Sequence, residues 1–310
     1  MNPVNQPLLD NAEVTALITQ ASGWQGLAFA WKSRPRLQGH SGPMASQQAG
    51  SGLDFVESRP YQPGDEPRHI DWRATARTGT PFVRIFHEEL APSVFFIIDR
   101  RTSMRFGTRR RLKATQAGRL AIFLATHEIR QGAEVGAVVV DETIQWIPAV
   151  SGLRGVERIA QVCRAPCPPL DPTDPASHSG KPMQFGRLLN QVSGRLPNGS
   201  TLYLLSDFSD ISDNDLPTLS RMGHEHTIHA LNIFDAAEQQ LPRAGRLALH
   251  WQGRRQTVDS HSKAVQSTFS AHSQQRMDGL QALFNRCDCR LDHLPARVDA
   301  LGEWLMALAS

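Results

Sequence analysis

A strongly basic run stands between two regular segments of this chain. Arg100–Lys113 contains six arginines and one lysine, and together with Asp99 it sums to a charge of +6. A basic loop attracts anions and repels divalent cations, and one that leads into a helix N-terminus can hold phosphate groups. The run therefore predicts anion or nucleic-acid binding. Phe106 is its only aromatic residue, and because single-stranded nucleic acid favours interleaved aromatic side chains, we disfavour nucleic acid.

Two carboxylates follow apolar runs of the sequence. Asp99 follows Val94–Ile98, and Asp207 follows Thr201–Ser206. Continuous apolar runs of this length are typical of buried parallel strands, and ligands of such sheets bind at the carboxyl ends of the strands. We therefore expect the loops after Asp99 and Ser206 to form the ligand edge. Taken alone, the two carboxylates could simply cap the helices that follow.

Other combinations of reactive residues are weak. The segment containing His224, His226 and His229 resembles a metal-binding cluster. On a strand, however, the first two histidines would share one face and the third would point away. We therefore predict solvent-exposed histidines rather than a metal site. The sequence lacks a P-loop motif and a Gly-x-Gly-x2-Gly motif after a strand, and no nucleophilic triad is evident. The cysteines lack the Cys-x2-Cys spacing of a strong zinc site, and free thiols are expected. They are Cys163, Cys167, Cys287 and Cys289.

The elements that would position these groups alternate between strand and helix. Apolar runs predict strands at 93–99, 134–140, 201–205 and 225–233, with helical patterns between them. A short strand at 143–147 is expected to form a hairpin with the strand before it. This alternation predicts an α/β fold with a doubly wound, mostly parallel sheet.

The composition describes an ordinary folded chain. Its 310 residues are 40% hydrophobic and 20% charged, with a net charge of +3, which is too small to argue for nucleic acid by itself. No apolar run is long enough to span a membrane, and the first residues do not follow the pattern of a signal peptide. We therefore expect a protein without a membrane segment, located in the cytoplasm.

The segment Gly50–Glu89 combines residue types that no single helix or strand would use. Several prolines exclude a long helix, and Gly64 and Gly79 mark turns. We predict an ordered, loop-rich platform in which Arg59, Arg68 and Arg73 pair with Asp54, Asp65 and Asp71. Apolar and aromatic residues of this platform are expected to be buried. They are Phe55, Tyr61, Ile70, Trp72, Phe82, Val83 and Phe86.

Part of the platform carries a family resemblance. Leu53–Arg77 reads Leu-Asp-Phe-Val-Glu-Ser-Arg-Pro-Tyr-Gln-Pro-Gly-Asp-Glu-Pro-Arg-His-Ile-Asp-Trp-Arg-Ala-Thr-Ala-Arg. This order resembles the signature of the bacterial domain-of-unknown-function 58 family. The resemblance implies a von Willebrand factor A-like, Rossmann-type domain over 91–310, preceded over 1–90 by a helix, an arm and the platform. It also implies association with a MoxR-type AAA+ ATPase and with other proteins of the same operon.

A von Willebrand factor A-like domain further implies Mg²⁺ at a metal-ion-dependent adhesion site, whose first loop reads Asp-x-Ser-x-Ser. Asp99 and Ser103 match the ends of that loop, and Asp207 resembles the family's distal aspartate, but Arg101 replaces the first serine. An arginine there could place its guanidinium where the metal would be and pair with Asp99 or Asp207. We therefore interpret the site as degenerate and disfavour Mg²⁺. Candidates for a further ligand are Thr173, Ser177 and Ser179.

Three functional hypotheses follow. The leading one is a non-enzymatic adaptor that works with a MoxR-type ATPase in the assembly or maturation of another protein complex. The alternative is anion or nucleic-acid binding through 100–113, and a metal-dependent hydrolase using Asp99 and Asp207 ranks third. Five arginines are candidates for partner binding, namely Arg73, Arg77, Arg84, Arg100 and Arg101.

Overall fold

The computed structural model describes residues 9–24, 54–65, 67–87, 91–108, 110–167, 183–251 and 254–309. The chain divides into two compact units, one of Lys32–Ala91 and one of Met1–Trp31 together with Pro92–Ser310. In chain order, the helices and strands are α1 (Asn11–Gly23), β1 (Asp54–Pro60), α2 (Trp72–Thr78), β2 (Phe82–His87), β3 (Ser93–Asp99), α3 (Lys113–Arg130), β4 (Glu134–Val140), β5 (Ile144–Val150), α4 (Leu153–Cys163), α5 (Phe185–Ser193), β6 (Thr201–Ser206), α6 (Leu216–Glu225), β7 (Thr227–Phe234), α7 (Ala236–Gln239), β8 (Arg246–Trp251), β9 (Arg254–Asp259), α8 (Lys263–Arg286), β10 (Arg290–Pro295) and α9 (Leu301–Ala309).

The larger unit is built on a six-stranded sheet with the order β10-β7-β6-β3-β4-β5. All neighbouring pairs are parallel except β4 and β5, which form the predicted antiparallel hairpin. The chain starts at the centre with β3, winds outward through β4 and β5, and returns to the other side of β3 with β6. The prediction of a doubly wound, mostly parallel sheet is confirmed, and β3 and β6 flank its topological switch point.

Alternate side chains of β3 enter two separate cores. Phe96 and Ile98 pack with α1, α3, α4 and α9 on one face of the sheet. Phe95 and Ile97 pack with α5, α6 and α8 on the other. Because successive strand residues point to opposite faces, a strand covered by helices on both sides must be apolar throughout, which is why its sequence shows a continuous run.

The N-terminal helix belongs with the larger unit. Leu17 and Ala21 of α1 are buried in the same core cluster as Leu120 of α3, and Asp10 caps the helix by accepting a hydrogen bond from the Glu13 amide at 2.7 Å. This packing corrects the expectation that the helix would group with the platform in a domain over 1–90.

The smaller unit has more regular structure than the loop-rich platform that we expected. Strands β1 and β2 form an antiparallel pair, and α2 lies between them in the chain. Arg59 and Asp65 form one of the expected ion pairs, with Nη2 and Oδ1 at 2.7 Å. Asp71 instead caps α2, and Trp72 is 71% exposed, so the expectation that this aromatic side chain is buried was wrong.

Three further features of the described residues complete the fold. No helix among them is both long enough and apolar enough to cross a bilayer. Strands β8 and β9 form a separate antiparallel hairpin. The four cysteines are all buried and free.

Candidate functional site

The carboxylates of Asp99 and Asp207 lie at the carboxyl edge of the sheet, where the chain reverses its winding. Asp99 is the last residue of β3, and Asp207 directly follows β6, the neighbouring strand. Their exposed fractions are 0% and 2%. Two acidic groups are thus taken out of water at the topological switch point, a location where α/β proteins bind ligands, and each needs a compensating partner.

Arg101 supplies the partner of Asp99. Its Nε donates to Oδ1 at 3.0 Å and its Nη2 to Oδ2 at 2.9 Å, a two-pronged pairing between side chains only two residues apart. The Arg101 amide also donates to Oδ1 at 2.9 Å, and the Ser206 hydroxyl donates to Oδ2 at 2.6 Å. Both oxygens of this carboxylate are therefore occupied by groups of the protein itself.

The outward edge of the same guanidinium is held by a second carboxylate, that of Asp210. Nη1 donates to Oδ2 at 2.6 Å and Nη2 to Oδ1 at 3.0 Å. Asp210 in turn accepts a hydrogen bond from the Phe185 amide at the start of α5, and Nη1 also donates to the Met183 carbonyl. We predicted that Arg101 would pair with Asp99 or Asp207. The structure places it between Asp99 and Asp210, so it ties the loop after β3 to the loop after β6.

Asp207 has a separate cation, Lys113. The Lys113 ammonium lies 2.7 Å from Asp207 Oδ2 and 2.6 Å from Glu238 Oε1, and the lysine side chain is 1% exposed. Ser103 donates from its hydroxyl to Asp207 Oδ1 at 3.1 Å, as does the Ser209 amide. Ser103 and Asp207, which resemblance assigned to one site, are therefore in direct contact.

The charges of these groups are fixed by their neighbours. Burial alone would lower the pKa of Arg101, but hydrogen bonds with Asp210 and Asp99 raise it above its ordinary value. Burial likewise opposes the charge of Lys113, whose pKa is raised by Asp207 and Glu238. Burial would raise the pKa of Asp207, and Lys113 outweighs that effect and lowers it. Both cations are consequently permanent parts of the site.

The arrangement does not fit a divalent cation. Mg²⁺ requires free oxygen ligands in near-octahedral geometry, but Arg101 covers both oxygens of Asp99 and Lys113 covers one oxygen of Asp207. An ion bound here would also lie beside two buried positive charges. The candidates for a further ligand, Thr173, Ser177 and Ser179, lie outside the described residues.

The Arg100 side chain is buried rather than exposed at the surface. The residue is 3% exposed, and it donates to the main-chain carbonyls of Val162 at 2.8 Å and Ala165 at 2.6 Å, closing the end of α4 against the sheet. Arg101 is equally buried. This placement corrects the expectation that these two arginines offer a surface to a partner.

The rest of the basic run is also largely compensated. Arg110 pairs with Asp299 at 2.9 Å, Arg111 pairs with Asp299 and lies 3.7 Å from Glu13, and Lys113 is used as described above. Arg109 lies outside the described residues. Because these acids offset much of the charge summed from the sequence, the structure gives no support to an anion-binding role for 100–113.

The remaining candidates lie elsewhere. Arg73 and Arg77 are exposed on α2 of the smaller unit, while Arg84 belongs to β2 and its side chain is outside the described part of the chain. The histidine prediction was partly wrong. His224 is exposed at the end of α6, but His226 and His229 are buried. His229 lies in β7, which is covered on both faces, and His226 lies at the C-cap of α6.

Sequence reasoning missed three members of the site, Lys113, Asp210 and Glu238. A signal for Lys113 was present, because a cation at the first position of a helix opposes the helix dipole and so implies a local acidic partner. Asp210 carries no such signal, since its role depends on the path of the loop after β6.

A family model described as "Protein of unknown function DUF58" matches residues 57–278, which is more than half of the chain. The chain belongs to the DUF58 family. The match spans most of the platform and the sheet up to α8, and it includes Asp99, Arg101, Lys113 and Asp207.

Curated relatives include the uncharacterized proteins Mb1516 of Mycobacterium bovis and Rv1480 of Mycobacterium tuberculosis. Each is 24% identical over 201 residues, a match of 64% of this chain and 61% of the relative. The chain thus spans about three fifths of the length of these relatives.

Similar solved structures share little sequence with this DUF58 chain. They include an aerotolerance-related membrane protein from Bacteroides fragilis, with 11% identity, a TM-score of 0.43, and coverage of 70% of this chain and 96% of that one. A von Willebrand factor type A protein from Catenulispora acidiphila has 12% identity, a TM-score of 0.38, and coverage of 74% and 43%. The TM-scores are low, and the strand order described above is what establishes the fold.

Proposed function

We propose that this DUF58 protein is a non-enzymatic interaction module whose ligand edge is held together by its own ion pairs. In this proposal the cations of Arg101 and Lys113 neutralise the buried carboxylates at the switch point, as a bound divalent metal ion otherwise would. No Mg²⁺ is needed, and the edge is a fixed surface for protein contact rather than a reaction centre.

The observation that carries the proposal is the occupation of both central carboxylates. A carboxylate that acts as a general base or nucleophile must reach a substrate, whereas Asp99 has both oxygens bound by Arg101 and Ser206. Asp207 is similarly held by Lys113 and Ser103. These contacts favour a structural role for both groups and disfavour the metal-dependent hydrolase considered above.

The partner in this proposal is an AAA+ ATPase of the MoxR type. The support is the resemblance carried by Leu53–Arg77 together with membership of the DUF58 family. The protein would act as an adaptor between this ATPase and a protein complex that is assembled or matured, whose components are encoded in the same operon.

A binding assay with purified proteins tests this function. The full chain is immobilised and exposed to the MoxR-type ATPase of the same organism, without nucleotide, with ADP, and with a non-hydrolysable ATP analogue. We expect saturable binding in at least one nucleotide state and no binding of an AAA+ ATPase of another class used as the control. Absence of binding in all three states would contradict the adaptor function.

A further inference from the structure

The smaller unit carries an aromatic side chain that its own fold leaves exposed. Trp72 is the first residue of α2, and 71% of its surface is exposed, the largest fraction among the exposed large hydrophobic side chains of the described residues. Tryptophan is enriched among the residues that dominate binding at protein interfaces. An exposed indole at an ordered helix is therefore a candidate contact residue.

Two arginines accompany this indole. Arg73 and Arg77 are exposed, and their spacing of four residues places them on one face of α2. Within the part of the chain that the structure describes, neither guanidinium forms an ion pair. Helix α2 contains no acidic residue, and the acid at its N-cap, Asp71, is buried. The exposed surface of α2 consequently carries the Trp72 indole at its first residue and two guanidinium groups along one side.

The helix is fixed at both ends before any partner binds. Asp71 Oδ1 accepts hydrogen bonds from the amides of Arg73 and Ala74 at 3.1 Å each, and its Oδ2 accepts from the Ser58 hydroxyl at 3.0 Å. At the other end Gly79 adopts a left-handed conformation, with φ of 76°, and its amide donates to the Thr75 carbonyl at 2.9 Å. A preformed helix loses less conformational entropy on binding, which favours affinity.

We infer that Trp72, Arg73 and Arg77 form a docking surface for an acidic segment of a partner protein. Carboxylates of the segment pair with the two guanidinium groups, which bind carboxylates through two parallel hydrogen bonds, and an apolar side chain of the segment packs on the indole. This inference rests on the proposed interaction function and names the chemistry that the partner presents.

Charge favours an acidic protein over the other polyanions. Nucleic acids gain affinity from many phosphate contacts, and anionic membranes contribute about 1 kcal/mol per basic residue near the surface, so two arginines support neither strongly. Tryptophan and arginine, by contrast, are among the residue types enriched in the hot spots of protein interfaces.

Binding measurements with three defined probes test the surface. They are a synthetic peptide with four glutamates around a central leucine, a single-stranded oligothymidine, and vesicles containing phosphatidylserine. We expect the full chain to bind the acidic peptide in preference to the other two. Trp72→Ala and the double variant Arg73→Glu/Arg77→Glu should each weaken peptide binding about tenfold or more, and a lysine version of the peptide should bind the charge-reversed variant.

The matched control is the exposed pair Leu153 and Arg154 at the start of α4, of which Leu153 is 53% exposed. Leu153→Ala and Arg154→Glu should leave peptide binding unchanged. Preference for oligothymidine or vesicles, or equal losses in the control variants, would overturn the docking surface. If the MoxR-type ATPase binds wild type and the Trp72 and arginine variants equally, the surface is overturned while the adaptor function stands. If the ATPase binds none of them, the adaptor function itself is overturned.

Discussion

The guanidinium of Arg101 binds both carboxylate oxygens of Asp99, at 3.0 Å and 2.9 Å, although the two residues are separated by only one position in the chain. The short loop after β3 therefore folds back so that Arg101 contacts the last residue of that strand. Asp210 holds the other side of the same guanidinium, so one arginine connects the two loops that flank the switch point of the sheet.

Removal of the Arg101 charge should destabilise the fold. Arg101→Met leaves Asp99 buried without its cation, and breaking a buried ion pair in this way costs about 3–5 kcal/mol. Arg101→Lys should cost less, because lysine keeps the charge but loses the planar fork. Urea unfolding measures both, and a lower midpoint with an unchanged slope reports a change in stability alone.

A double variant and a pH series control that experiment. Asp99→Asn/Arg101→Met removes both charges and should cost less than the sum of the single variants. Complete burial raises the pKa of Asp99, against the opposing effect of Arg101. Without Arg101, the Asp99 carboxylate of the native state should take up a proton. The loss of unfolding free energy in Arg101→Met relative to wild type should therefore become smaller as the pH falls from about 7 to about 5. Additive losses or a deficit independent of pH would contradict the pairing.

Lys113 should also be essential to stability, despite its position at a helix N-terminus. Lys113→Met leaves Asp207 buried without its cation, and we expect a loss of about 3–5 kcal/mol. Lys263 offers a matched control, because it is the first residue of α8 and is exposed. Lys263→Met should stay within about 0.5 kcal/mol of wild type in thermal or urea unfolding. Similar effects at the two lysines would show that helix-end charge, rather than the buried pair, determines the result.

The N-terminal helix should contribute to the main core. Leu17 is 1% exposed in the cluster shared with α3, and shortening a buried leucine to alanine costs about 2–5 kcal/mol. Gln20 is exposed on the same helix, so Gln20→Ala should change stability by less than about 0.5 kcal/mol. If Leu17→Ala proved as mild as Gln20→Ala in urea unfolding, α1 would not be part of the core.

Acid sensitivity should depend in part on His229. Burial lowers the pKa of His229 to about 3, with Arg290 adding to the effect. In the unfolded chain His229 has its ordinary pKa near 6.5, so as the pH falls it is protonated in the unfolded state before it is protonated in the native state. The stability contributed by neutral His229 is therefore complete above about pH 6.5 and falls toward pH 3. His229→Phe keeps a ring against Tyr203 and should flatten the slope of stability against pH by up to about 1.4 kcal/mol per unit. The exposed His224→Gln is the control and should retain the wild-type slope.

The doubly wound, mostly parallel sheet could be predicted because each central strand has a continuous apolar run, which requires cover on both faces. The position of Asp99 and Asp207 at one edge followed from the same pattern. The contacts of these acids could not be predicted in full, because Asp207 and its partner Lys113 lie 94 residues apart in the chain. The contact of Arg101 with Asp210 depends on the course of the loop after β6. The exposure of Trp72 escaped prediction since aromatic residues are normally assigned to cores, and only the packing of α2 shows which of its faces is free.

The central claim is that Arg101 takes the place of a metal ion at the ligand edge. Isothermal titration calorimetry of Mg²⁺ into the wild-type protein and into Arg101→Ser, which restores the Asp-x-Ser-x-Ser pattern, tests it most directly. We predict no binding to wild type in the micromolar range and a gain of affinity in Arg101→Ser, where hydroxyl and carboxylate oxygens become available. Micromolar binding to wild type that is lost in Asp99→Ala would contradict the claim.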